Sequence, residues 1–62
     1  MARQAIVELE DGRILKGEVQ SVINFGSVVT GDRYEIEMKI NGRDSIIWKQ
    51  VVDGGRLLHL DD

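Results

Sequence analysis

The 62-residue sequence predicts one small all-β domain, a strongly bent sheet of five or six short strands curling into a barrel. Three observations predict it. Apolar and polar residues alternate with a period of two through most of the chain, and no useful length carries helical periodicity. Turn dipeptides (Asp11-Gly12, Asn41-Gly42, Gly54-Gly55) punctuate those runs. The longest run contains an internal glycine, Gly17, the mark of a sharp bend or a close backbone approach.

The first strand covers residues 5–10, with Ala5, Val7 and Leu9 on one register against Ile6, Glu8 and Glu10. Asp11-Gly12 accepts the positive φ angles of a tight hairpin turn. A longer strand follows from Arg13 to about Ile23. Leu15, Val19 and Ile23 share its apolar register with Gly17, while Lys16, Glu18 and Gln20 point the other way. Over residues 24–33 the alternation weakens, and the pattern allows a short strand over Ser27–Thr30 and a turn at Gly31-Asp32-Arg33. Tyr34, Ile36, Met38 and Ile40 then alternate with Glu35, Glu37 and Lys39 in the clearest strand of the chain. Asn41-Gly42 is the strongest short hairpin signal, because both residues tolerate left-handed conformations. A returning strand is expected over Arg43 to Val51, with Ile46, Ile47 and Trp48 inside it. Asp53-Gly54-Gly55 breaks it, and Arg56 to Leu60 form the last strand. No proline blocks any strand edge.

Size bears on assembly. A chain this short buries only ~60% of the surface its unfolded form exposes. It has no cysteine, hence no disulfide or thiolate metal site, and its single histidine, His59, has no ligand-spaced partner. Oligomerisation through exposed strand edges is the remaining means of stabilisation. The net charge of -3 argues against sequence-independent nucleic-acid binding by phosphate neutralisation, while leaving room for a local basic site. No apolar run approaches the ~20 residues of a membrane span, and the first residues lack the apolar core of a signal peptide. The expected location is cytoplasmic, with no membrane partner. No nucleophile motif, phosphate loop or metal constellation is present, and Glu8, Glu10, Glu35 and Glu37 alternate along strands instead of converging. Neither catalysis nor a cofactor is expected.

From Val7-Glu8-Leu9-Glu10-Asp11-Gly12-Arg13-Ile14-Leu15 to Lys16-Gly17-Glu18-Val19, the chain resembles the opening motif of Sm-like proteins (the Sm, Lsm and bacterial Hfq family). Ile47-Trp48-Lys49-Gln50-Val51-Val52 resembles the second motif of Hfq: an apolar residue and an aromatic, then Lys-His, then a small residue and an aliphatic. Aligned from Gly17, the family's Asp-x-aromatic-x-Asn signature falls on Ile23, Asn24, Phe25, Gly26 and Ser27. Phe25 keeps the aromatic, whereas Ile23 and Ser27 replace the aspartate and asparagine, and Gln50 stands where the second motif has histidine. The stretch between motifs is longer than in Hfq, with the Asn41-Gly42 hairpin as a candidate extension, and there is no room for the usual N-terminal helix.

The resemblance implies a single Sm-like domain over residues 1–62, a five-stranded SH3-like barrel whose end strands pair with neighbours. Copies would close a homo-oligomeric ring of five to seven subunits that binds single-stranded RNA, in RNA regulation or processing. Bases would stack on Phe25, with Asn24 and Ser27 beside it, while Lys49 contacts phosphate and Gln50 a base edge. Each residue also has a plainer reading. Phe25 could plug the end of a small barrel and Lys49 could simply be solvated. Trp48 suits a core or an interface better than a ligand platform. Arg13, Arg33, Arg43 and Arg56 sit at or beside turns, where they could track a backbone along one rim or simply be solvated, and His59 fits a surface or an interface. The rival functional reading is a structural or protein-interaction oligomer on the same barrel without RNA. A third is an unrelated SH3-like adaptor.

Overall fold

A computed structural model describes residues 3–29 and 31–61 and is mostly β. The elements are β1 (Gln4–Glu8), β2 (Ile14–Asn24), β3 (Tyr34–Ile40), β4 (Asp44–Lys49), a helical turn α1 (Gln50–Asp53) and β5 (Arg56–Leu60). The five strands form one antiparallel sheet in the order β4-β3-β2-β1-β5. β4 and β5 are each bonded to one neighbour, so the sheet is open and has two free edges.

One face of the sheet carries the core. Ala5, Val7, Ile36, Met38 and Trp48 are buried, and Leu15, Val19, Val22, Tyr34, Ile46, Leu57 and Leu60 are among those packed around them. In β1, β3 and β4 these are alternating positions, as the pleat requires, while β2 and the β1–β5 pairing carry a register shift. The anticipated hairpins are present. The Leu9 N–H reaches the Arg13 carbonyl at 2.8 Å across a three-residue turn. Asn41 and Gly42 take φ of 56° and 67°, and the Arg43 N–H closes that turn on Ile40.

At Gly17, β2 passes close against β3. A Cβ there would lie 2.7 Å from the Lys39 carbonyl oxygen and 3.0 Å from Ile40 Cδ1. Only a residue without a side chain lets the strands cross so tightly.

Three local expectations are corrected. Ile23 does not share the core register of Leu15 and Val19. Val19 pairs with Met38 but Ser21 pairs with Glu37, so Gln20 is the extra residue of a β-bulge. A one-residue insertion flips every later side chain to the other face. Val22 therefore turns inward, and Ile23 is 48% exposed. The segment proposed as a strand over Ser27–Thr30 is the tip of a hairpin. Ser27 bridges Gly31 while Val28 and Val29 form the turn, and Thr30 lies outside the described residues. The returning strand stops at Lys49. Gln50–Asp53 wind into α1, closed by the Gly54 N–H on the Gln50 carbonyl at 3.0 Å and by the Lys49 N–H on Asp53 Oδ2 at 2.9 Å.

Gly54 and Gly55, with φ of 76° and 85°, then redirect the chain into β5. Gly55 passes directly against the Glu8 carbonyl, with no room for a Cβ. The Trp48 indole N–H donates to the Gly54 carbonyl at 3.1 Å. The segment after β4 thus runs against the end of β1, at Glu8 and Glu10.

Candidate functional site

The sheet brings the two motif segments to one end. Asn24, the last residue of β2, pairs with Tyr34, the first of β3, and Glu35 pairs with Lys49 at the end of β4. The Tyr34 N–H donates to Gln50 Oε1 at 3.1 Å. Asn24–Phe25 and Lys49–Gln50, more than twenty residues apart in sequence, therefore flank a single residue at the start of β3. Tyr34 is the piece that sequence reasoning missed. Its only signal was its place at the start of the clearest strand.

Several polar groups at this end are already engaged. Asn24 Oδ1 accepts the N–H of Gly26 at 2.9 Å and of Arg33 at 3.3 Å, and its amide donates to Asp32 Oδ1 at 3.2 Å. Asn24 is the staple of the hairpin base, a role that suits a side chain able to mimic backbone. Ser27 Oγ accepts the Val29 N–H at 3.2 Å inside the tip. Gln50 spends its carbonyl oxygen on Tyr34. Phe25, 56% exposed, and the exposed Lys49 face solvent.

The charge here is mixed. Arg33 and Lys49 are offset by Asp32, Glu35 and Asp53, so no single-sign patch forms. The Arg33 guanidinium donates to the Asp32 carbonyl at 2.9 Å and stays at the hairpin base. The turn arginines do not share one rim. Arg13 and Arg56 pair with Asp11 and Glu8 at 2.7 and 2.9 Å near the β1–β2 turn, and Arg43 lies at the opposite end of β3.

Two concavities lie elsewhere, each of about 340 Å³. One runs between the β1–β2 turn and β4, with Leu9, Leu15 and Ile46 under the carboxylates of Glu10 and Asp53. The other is polar and lies beside Gly17, between Lys16 and Lys39. Neither is lined by Asn24, Phe25, Ser27, Lys49 or Gln50. Among the described residues no group of three or more His, Cys, Asp or Glu side chains could hold a metal ion, and no helix is long and apolar enough to cross a membrane. No family model, no curated protein and no solved structure matches this chain.

Proposed function

We propose that this chain is a divergent Sm-like domain whose copies join by their free strand edges into a ring, and that it binds single-stranded RNA at the Phe25 end of the sheet. The barrel in this reading is the curl that carries the end of β4 back to the β1–β2 turn, with the unpaired edges of β4 and β5 completed by neighbouring copies. Edges left open would template uncontrolled pairing, and a closed ring satisfies their backbone groups.

The observation that carries the RNA reading is the meeting of Phe25 and Lys49–Gln50 across Tyr34. An exposed ring supplies a stacking surface for an unpaired base, and a lysine on the far side of β3 supplies one phosphate contact. Gln50 keeps its amide N–H groups for a base edge, since its oxygen is committed to Tyr34. Binding of this kind depends on stacking more than on charge, which suits a chain of net charge -3.

A second reading, an oligomer that serves structure or protein contacts without RNA, is favoured by one observation. Asn24, Ser27 and the Gln50 oxygen are spent on local backbone, and three carboxylates surround the site.

Fluorescent oligo-U and oligo-A titrations across a salt series separate the two. Phe25→Ala is expected to weaken binding ~5- to 150-fold, the equivalent of one lost stack. Lys49→Ala is expected to lower the salt slope by about one phosphate contact. No binding at low salt, or binding indifferent to both substitutions, sinks the RNA reading. Sedimentation tests the ring separately, and a stable monomer at micromolar concentration refutes it.

A further inference from the structure

The exposed apolar residues are not scattered. Among the described residues nine large hydrophobics are exposed, and six of them lie on the end of β2, the β2–β3 hairpin and α1, which leave the sheet around Tyr34: Ile23, Phe25, Val28, Val29, Val51 and Val52. Val28 and Val29 form the hairpin tip and are 104% and 90% exposed, as open as in an extended chain. Val51 and Val52 project from α1, which Gln50 ties to Tyr34 at the same end. Single exposed aliphatics are ordinary, whereas six on two segments that leave the sheet at one end are a candidate contact surface.

We infer that this end is a self-association surface, in which the hairpin tip and α1 of one copy pack against those of a second copy. Three observations point to a second copy as the occupant. The first is area. The six side chains together offer roughly 500 Å² of apolar surface, at the upper end of monomer patches and more than half of the ~800 Å² per partner in a standard interface. The second is charge. Asp32, Glu35 and Asp53 stand against Arg33 and Lys49, so the patch has no field to select a strongly charged partner or an anionic membrane. Mixed signs also let two copies meet without like-charge repulsion. The third is the shortage of interior. Among the described residues only five hydrophobic ones are buried, and the chain exposes 4418 Å² where monomer scaling gives about 4,000 Å² for 7.0 kDa. A domain this short of core needs a partner that is always present at its own concentration.

The contact is distinct from the edge pairing proposed above. Edge pairing between β4 and β5 is head-to-tail and closes rings, whereas an end-to-end contact between identical patches is two-fold and joins rings or monomers in pairs. The inference rests in part on the site reading, because Phe25 belongs to both surfaces. A base stacked on Phe25 therefore competes with the second copy, so RNA and end-to-end pairing oppose each other.

The test is the mass of the full chain by light scattering and sedimentation velocity, without RNA, for wild type and for a Val28→Ser/Val29→Ser double variant. Both valines are almost fully exposed, so the variant is expected to keep its far-ultraviolet circular dichroism. A Val51→Ser/Val52→Ser variant provides a second, independent break in the same surface. The expected result is a twofold drop in mass for either variant. An unchanged mass overturns the inference, as does wild-type binding to neutral phosphatidylcholine vesicles that the variants lose at constant mass. Failure of the ring reading looks different: wild type then has the mass of a dimer and the variants that of a monomer. Adding oligo-U to wild type is expected to halve the mass. Tight oligo-U binding with no change in mass overturns the shared-surface claim, whereas failure of the RNA reading shows as absent binding.

Discussion

Replacing Gly17 by alanine gives an experiment in which the sign of the effect decides. In an ordinary strand this change stabilises by about 0.5–1 kcal/mol, because glycine loses more backbone freedom on folding. Here the new Cβ would sit 2.7 Å from the Lys39 carbonyl oxygen, 3.0 Å from Ile40 Cδ1 and 3.1 Å from Met38 Cγ. Even a weak C–H···O contact keeps carbon and oxygen ~3.3 Å or more apart. The backbone of β3 must therefore withdraw by roughly half an ångström beside two residues that pack on or in the core. Overpacking of this kind costs about 1–3 kcal/mol, which the entropic gain offsets only in part, so the net change centres on a destabilisation of about 1 kcal/mol. For a domain of this size that lowers Tm by roughly 4–8 °C. Urea unfolding followed by Trp48 fluorescence measures it, at one fixed protein concentration because assembly adds its own stability. A Gly17→Ala protein as stable as wild type, or more so, refutes the close crossing of β2 and β3.

Trp48→Phe keeps a ring in the core but removes the N–H that reaches the Gly54 carbonyl. A loss of about 1–2 kcal/mol is expected, with faster amide exchange around Gly54-Gly55; unchanged stability by circular dichroism would show that the bond does not hold the α1 turn. Acid should weaken the junction between the end of β5 and the start of β1. Asp61 accepts the His59 ring N–H and the Gln4 N–H, and these hold its carboxyl below the ordinary value of 3.8. A carboxyl depressed in the folded state contributes stability that is complete above its ordinary value and lost as pH falls through the folded one. Melting curves should therefore steepen below pH ~4, and Asp61→Asn should flatten that limb. Identical acid limbs for the two proteins would remove Asp61 from the account.

Much of the fold was legible in the sequence because its causes are local. Alternation with period two marks the inward residues of β1, β3 and β4, since successive side chains of a strand point to opposite faces. Asn41-Gly42 and Gly54-Gly55 announce turns by backbone preference alone. The core membership of Trp48 follows from its apolar neighbours, and the glycine at position 17 signals that something passes close by. What passes close by is a non-local fact, as is the bulge at Gln20 that turns Ile23 outward. Nothing in Ser-Val-Ile-Asn says which of the two apolar residues faces in. That depends on how β3 registers against β2.

The candidate site divides in the same way. Phe25, Lys49 and Gln50 could be named from residue type and motif spacing, but their adjacency runs through Tyr34 and the strand order β4-β3-β2. Asn24 and Ser27 had the right chemistry for a ligand, and the hairpin had already used it. The short-strand pattern of Ser27–Val29 was equally compatible with an exposed tip. The sequence alone determined that this chain is a small β domain, because strand periodicity and turn chemistry act over a few residues. Only the tertiary structure decided which end carries the exposed apolar surface and which edges stay open, because those follow from pairings between residues distant along the chain.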